Sequence, residues 1–236
     1  MKKETWKKLG VVGIFGAAMA FIETLIVVYL RMLYYPEGFK FPLNPYIEPW
    51  VYSVEWFREF FTIVMLACIA VLAARKFSER FAYFMYSFAV WDIFYYIWLK
   101  VILDWPASFL IWDLLFLIPI PWLGPVIAPL TCSVMMIVFA YIILDFADKG
   151  KNTEIHKNEW ILLIIGSLIL LYTWLIDYAR LIISNGFLGD FFNLLTNSEF
   201  QRIVENFVPV SYNWIMFFIG ILVIIIAIVI YYRRVS

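Results

Sequence analysis

The chain reads as an all-α integral membrane protein with about six transmembrane helices, and three observations predict this. Apolar residue types make up 65% of its 236 residues and charged types only 15%, where a soluble domain carries about a quarter charged residues to meet water. The mean hydropathy is +0.88. Apolar runs of roughly 20 residues, the length a ~30 Å hydrocarbon core requires, recur between short polar or proline-rich segments. Six such spans and their loops account for nearly the whole chain, so residues 1–236 form a single polytopic domain. The formal net charge is zero, which leaves no basic footprint for nucleic acid.

The spans fall at about 10–34, 55–74, 80–103, 123–146, 159–183 and 211–232. Before the first, Lys2, Lys3, Lys7 and Lys8 followed by Ala18-Met19-Ala20 resemble a signal peptide. The apolar run continues through Phe21, Ile22 and Leu25 to Leu30, however, which is too long for a removable signal and predicts a retained first helix. Its stripe of Gly13, Gly16, Ala17 and Ala20 is of the kind that lets membrane helices approach closely. Between the first two spans, Pro36, Pro42, Pro45 and Pro49 stand among aromatics, and residues 35–50 are expected to form an extended, rigid cap.

The segment after the third span does not fit a simple count. Residues 107–118 are apolar but would make a helix of only ~18 Å, too short to cross. Pro106 precedes it, and Pro119, Pro121, Gly124 and Pro125 follow. The expectation is a short re-entrant or interfacial half-helix (107–118) on the outer side, then a fourth span kinked near Pro125 and Pro129. Broken backbone at membrane depth is tolerated only when buried in protein or lining a wet cavity, so this stretch points to a site. In the last outer loop, Ser198 and Gln201 have capping-box spacing. Phe200, Ile203, Val204 and Phe207 recur at helical period before Pro209, which predicts a short interfacial helix.

Orientation follows from the basic residues. Lys2, Lys3, Lys7 and Lys8, then Arg75, Lys76 and Arg80, then Lys149, Lys151 and Lys157, then Arg233 and Arg234 fall at alternate span ends. By the positive-inside rule both termini are cytoplasmic, in a cell (plasma) membrane. The remaining cations, Arg31, Lys40, Arg58, Lys100, Arg180 and Arg202, then fall in the outer half. Cys68 and Cys132 lie in apolar runs, and the single histidine, His156, lies in a polar loop. No disulfide framework, metal site or cofactor is expected from so few ligands.

An ionisable residue inside a span costs about 2.5–3.5 kcal/mol on insertion scales and usually faces the bundle interior. Glu23, which continues the small-residue face of the first helix, and Asp92, midway along the third, are the candidate catalytic acid/base groups. Tyr95 and Tyr96 stand at i+3 and i+4 from Asp92, and Lys100 and Asp104 continue the Tyr96 row, so the spacing predicts a polar ladder rising outward. Glu55, Arg58 and Glu59 share one face of the second helix, where Arg58 can bridge two carboxylates that would otherwise repel. Asp177 and Arg180 make a similar pair on the fifth helix. Arg31, Arg58, Glu59, Tyr95, Tyr96, Lys100, Asp113, Asp177 and Arg180 are the candidate ligand-binding residues. Trp105, Trp112 and Trp122 are expected as interfacial anchors.

Three functions are compatible with this pattern. The first is an outward-facing intramembrane site that binds, and can act on, an amphipathic lipid-type ligand, with Arg31, Arg58 or Arg180 holding an anionic head group. The second is a small ion- or proton-coupled transporter, although polar residues for an inner path (Thr131, Ser133, Ser167) are few. The third is an accessory or scaffold subunit whose charges pair between helices. The partners expected are membrane lipids, an amphipathic small molecule, and other protein chains or further copies of this one.

Overall fold

A computed structural model describes residues 1–44 and 47–236; Pro45, counted in the proline cap, lies outside them. The helices are α1 (Lys3–Tyr34), α2 (Pro49–Ala73), α3 (Phe77–Leu103), α4 (Ile127–Asp148), α5 (Lys157–Ser184), short α6 (Ser198–Val204) and α7 (Trp214–Val235). All but α6 are long and apolar enough to cross a membrane, and the chain is an all-α multi-pass membrane protein. A small hairpin of β1 (Trp112–Phe116) and β2 (Trp122–Pro125) lies between α3 and α4, and a 3-10 turn, Phe187–Asn193, follows α5.

Two close crossings organise the bundle. The α1 stripe meets α3 as expected. A methyl group added at Gly16 would lie 3.1 Å from the Ser87 carbonyl, and one at Gly13 would lie 2.9 Å from the Tyr86 hydroxyl. Ala20 is fully buried, and Trp98 Nε1 donates across this seam to the Ala17 carbonyl at 3.0 Å. The second crossing joins α5 to α7 through Gly166 and Gly220. A Cβ on Gly166 would come within 2.5 Å of Ile224 Cγ1 and 3.1 Å of the Gly220 carbonyl. Without a hydrophobic force between helices in lipid, such backbone-to-backbone packing is a main source of association.

Both termini lie at one end of the bundle, over a dry core that includes Tyr83, Phe139, Ile143 and Tyr231. Polar groups close this end at its rim. The Met1 amine contacts Asp145 at 3.1 Å, and Thr5 donates to Asp148 at 2.8 Å. Arg234 donates to both Glu159 oxygens at 2.6 and 2.8 Å. Lys151 donates to the Val235 and Ser236 carbonyls. His156 precedes α5, and its backbone N–H donates to Glu159 at 2.7 Å.

The opposite end departs from expectation at several points. Residues 107–118 form a turn and a strand, not a half-helix. β1 pairs antiparallel with β2, Asp113 opposite Gly124, and the Val126 and Ile127 N–H groups donate back to the Ile111 and Phe109 carbonyls. Pro119 and Pro121 turn the chain, and the second arm then satisfies backbone groups that a short helix would leave open at both ends. Pro125 closes β2 and Pro129 sits in the first turn of α4, where its missing N–H is not needed, so neither interrupts a span. α6 is capped by Asn197, which accepts from the Glu199 and Phe200 N–H groups. Gln201 instead reaches back to the Leu194 and Leu195 carbonyls. Its apolar face, Phe200 and Val204, packs on Tyr178, Ile182 and Phe187. The expected tryptophan anchors serve internal packing. Trp105 covers Arg31, Trp122 stacks on Trp174 at 5.5 Å, and Trp112 meets Tyr212 edge-on at 5.9 Å.

Candidate functional site

Three clusters of charge lie inside the end remote from the termini. In the first, the face of α2 that carries Glu55, Arg58 and Glu59 turns toward α1. Arg58 Nη1 lies 2.8 Å from Glu23 Oε1, and Arg58 Nε donates to Glu55 Oε2 at 2.8 Å. Its Nη2 is 3.9 Å from Glu59 Oε1. One guanidinium thus faces three carboxylates. Glu23 Oε2 also accepts from Trp91 Nε1 at 3.2 Å and Thr62 Oγ1 at 3.4 Å. Glu59 Oε2 accepts the Leu117 N–H at 2.8 Å, which ties α2 to the end of the hairpin.

The hairpin builds the second cluster. β1 carries Asp113 inward, where it is 1% exposed. Asp113 Oδ1 accepts from Arg31 Nη2 at 3.1 Å and from the Leu114 N–H at 2.9 Å, and Oδ2 accepts from the Tyr96 hydroxyl at 3.3 Å. The Arg31 guanidinium also lies 4.0 Å from the Trp105 ring centre and 4.6 Å from that of Phe39. This pair is matched one to one and shielded by aromatic faces, an arrangement suited to a weakly hydrated guanidinium.

Asp92 is the third. Its Oδ2 accepts from Ser133 Oγ of α4 at 2.7 Å. Among the described residues no cation pairs with it. The expected ladder is therefore divided: Tyr96 turns to Asp113 and Asp92 turns to Ser133. Lys100 points outward to Asp104 at 2.6 Å, the way a lysine near a helix end keeps its charge in water.

These groups line one cavity of about 130 Å³. Of the candidates named from the sequence, it brings together Glu23, Arg31, Arg58, Glu59, Asp92, Tyr95, Tyr96 and Asp113. Lys100, Asp177 and Arg180 are not among its lining residues, and Asp177 and Arg180 form no ion pair within 4.0 Å of each other among the described residues. Glu55 joins the site as a full member, with Trp91, Tyr34, Tyr35, Phe39 and Tyr52 as aromatic wall. Trp91 could have been found from its place beside Asp92. Ser133, counted from the sequence among the few polar residues for an inner path, gave no sign of meeting Asp92, because that partner lies on another helix.

A second, larger cavity of about 400 Å³ adjoins the first. Side chains of α2 (Tyr52, Ser53, Trp56, Phe57), of the hairpin and of α5 and α6 (Tyr178, Val204) bound it. Leu43, Tyr52, Leu114 and Leu117 line both cavities. A chamber lined by seven charged side chains thus shares its walls with a groove lined by none. Among the described residues, no group of three or more His, Cys, Asp or Glu side chains is placed to hold a metal ion. Comparison of the chain with protein-family models, with curated proteins and with solved structures found no match, so the site is read from its own geometry.

Proposed function

We propose that the chain binds an amphipathic, lipid-type ligand at the end remote from its termini, with the head group in the charged cavity and the tail in the apolar groove. One observation carries this reading: the two cavities share four lining residues, and seven charged side chains line the first where none lines the second. Ligand sites are concave, mostly apolar, and oriented by a few convergent polar groups, which is the pattern here. Buried charge is expensive where packing alone would suffice, and a chamber built from it favours a polar occupant.

The positions of the basic loops support an outward orientation for this end. The half of the bundle nearer the termini is filled by Tyr83, Phe139, Ile143 and Tyr231, which favours a binding site with one opening over a coupled transporter. Where the ligand is also acted on, Asp92 is the group suited to exchange a proton with it. Glu23 is committed to Arg58, Trp91 and Thr62, whereas among the described residues Asp92 has a single hydroxyl partner.

The test is the lipid that co-purifies in mild detergent. Ser53→Trp fills the groove from α2 and should deplete bound lipid several-fold against wild type at equal fold content. Lipid content unchanged in Ser53→Trp would sink the reading.

A further inference from the structure

The charge balance of the chamber names a head-group class, and the argument rests on the reading just proposed. Five carboxylates, Glu23, Glu55, Glu59, Asp92 and Asp113, line the cavity against two guanidinium groups, Arg31 and Arg58. Arg31 is matched by Asp113, and Arg58 is shared among the three glutamates. The surplus is acidic, and it is visible atom by atom. Among the described residues, Asp92 Oδ1 and Glu55 Oε1 accept no hydrogen bond, since Ser133 and Arg58 bond only the other oxygen of each. Glu59 Oε1 stands 3.9 Å from the nearest guanidinium nitrogen, beyond hydrogen-bond reach. On the wall of the chamber, among the described residues, these carboxylate oxygens are left without a protein donor.

We infer that the head group this site accepts is a protonated amine, so that the ligand is a cationic amphiphile. An ammonium carries three donors and no acceptor, the complement of what the chamber leaves open. The walls agree: Tyr52 and Tyr95 line the cavity, and aromatic faces attract a cation through their quadrupole. An anionic head group would meet the acidic surplus and would have to displace Asp113 from Arg31. The expectation that the arginines hold an anionic head group is thereby reversed. Size narrows the class further. A void of about 130 Å³ is close to the ~150 Å³ cavity that admits benzene, which suits an ammonium head and is too small for a sugar ring.

The experiment is calorimetric titration of the chain in nanodiscs of zwitterionic lipid with four probes: hexylammonium, hexyl phosphate, hexanol and methylammonium. Hexylammonium should bind roughly tenfold or more tighter than hexyl phosphate or hexanol, a gap of about 1.4 kcal/mol or more. Methylammonium, lacking the tail, should bind more weakly than hexylammonium. In Asp92→Asn and, separately, Glu55→Gln, the preference for hexylammonium over hexanol should shrink several-fold while hexanol binding holds. The wild-type ranking tests the inference even if neither variant folds. Equal binding of the three hexyl probes, or tighter phosphate, overturns the amine assignment and leaves the lipid reading standing. Methylammonium binding as tightly as hexylammonium supports the amine and overturns the lipid tail. Binding of none of the probes overturns both.

Discussion

The two ends of the bundle use charge in opposite ways. At the end that carries the termini, ion pairs sit at the rim over an apolar core. Arg234 pairs with Glu159, each also held by a neighbouring backbone group, and Asp145 is shared by the Met1 amine and Lys149. At the other end the charges lie deep, three carboxylates share one guanidinium, and a cavity lies among the packed clusters. In each rim pair one partner keeps access to water, Arg234 at 26% and Asp145 at 19% exposure, which lowers the cost of assembling it. Deep charges pay a desolvation penalty that their mutual attraction often fails to repay. One end is therefore built for closure, while the other holds groups that closure does not need.

The sharpest way to break this contrast is to remove Arg58. Arg58→Ala leaves Glu23, Glu55 and Glu59 without their common cation, and stability should fall by ~3–5 kcal/mol, read as a lower thermal unfolding midpoint in one detergent. Adding Glu23→Gln should recover part of the loss, because the amide removes one of the stranded charges. An Arg58→Ala midpoint equal to wild type would show that the glutamates need no counter-charge, and the contrast between the ends would collapse.

A second substitution separates packing from charge. Gly166→Leu places a branched side chain where even a Cβ would meet Ile224 and the Gly220 carbonyl. The α5–α7 crossing should loosen by ~1–3 kcal/mol, as overpacked sites do. Because α5 and α7 serve both ends, ligand affinity should change little beyond what the lost stability explains. A selective loss of binding would mean that the groove depends on this crossing more than on α2.

The third addresses the rim. Arg234→Ala removes two hydrogen bonds to a buried Glu159, but the arginine side chain is 26% exposed. The expected loss is ~1–2 kcal/mol, toward the lower side for bonds to charged groups, and it should diminish in high salt. A loss as large as that of Arg58→Ala, indifferent to salt, would make the two ends alike.

Much of this was legible in the residues because lipid imposes strict rules. A span needs about 20 apolar residues, so the six crossings could be placed. A small-residue stripe implies a close neighbour, and α3 meets Gly13 and Gly16 there. An ionisable group inside a span implies a polar interior, and most of the carboxylates so marked line the cavity. What the residues could not show was pairing between helices. Asp92 meets Ser133 on α4, and Arg31 meets Asp113 on the hairpin, partners that no local spacing encodes. The ladder from Asp92 to Asp104 was an i, i+4 argument; its outermost step, Lys100 to Asp104, formed, but Asp92 and Tyr96 turned to partners on other elements. The hairpin was hidden because a short apolar run has no decisive period. Two runs divided by Pro119 and Pro121 were the overlooked sign of a turn.

The smallest expected effect decides the most. Among the described residues Asp92 has no cation, and its hydrogen-bond partner is a hydroxyl. If it served only to hold α3 against α4, Asp92→Asn would keep a hydrogen-bonding group of the same shape, and little else would change. If instead it is kept as a cavity acid, its charge is held at a cost, and removing that charge should leave stability equal to wild type or raise it by up to ~1 kcal/mol. The two cases differ in a paired measurement, thermal midpoint against amine affinity in the same preparation. A stable Asp92→Asn protein with weakened hexylammonium binding marks the deep end as a site. A stable protein with unaltered affinity would assign Asp92 to packing and leave the acidic surplus to Glu55 and Glu59 alone.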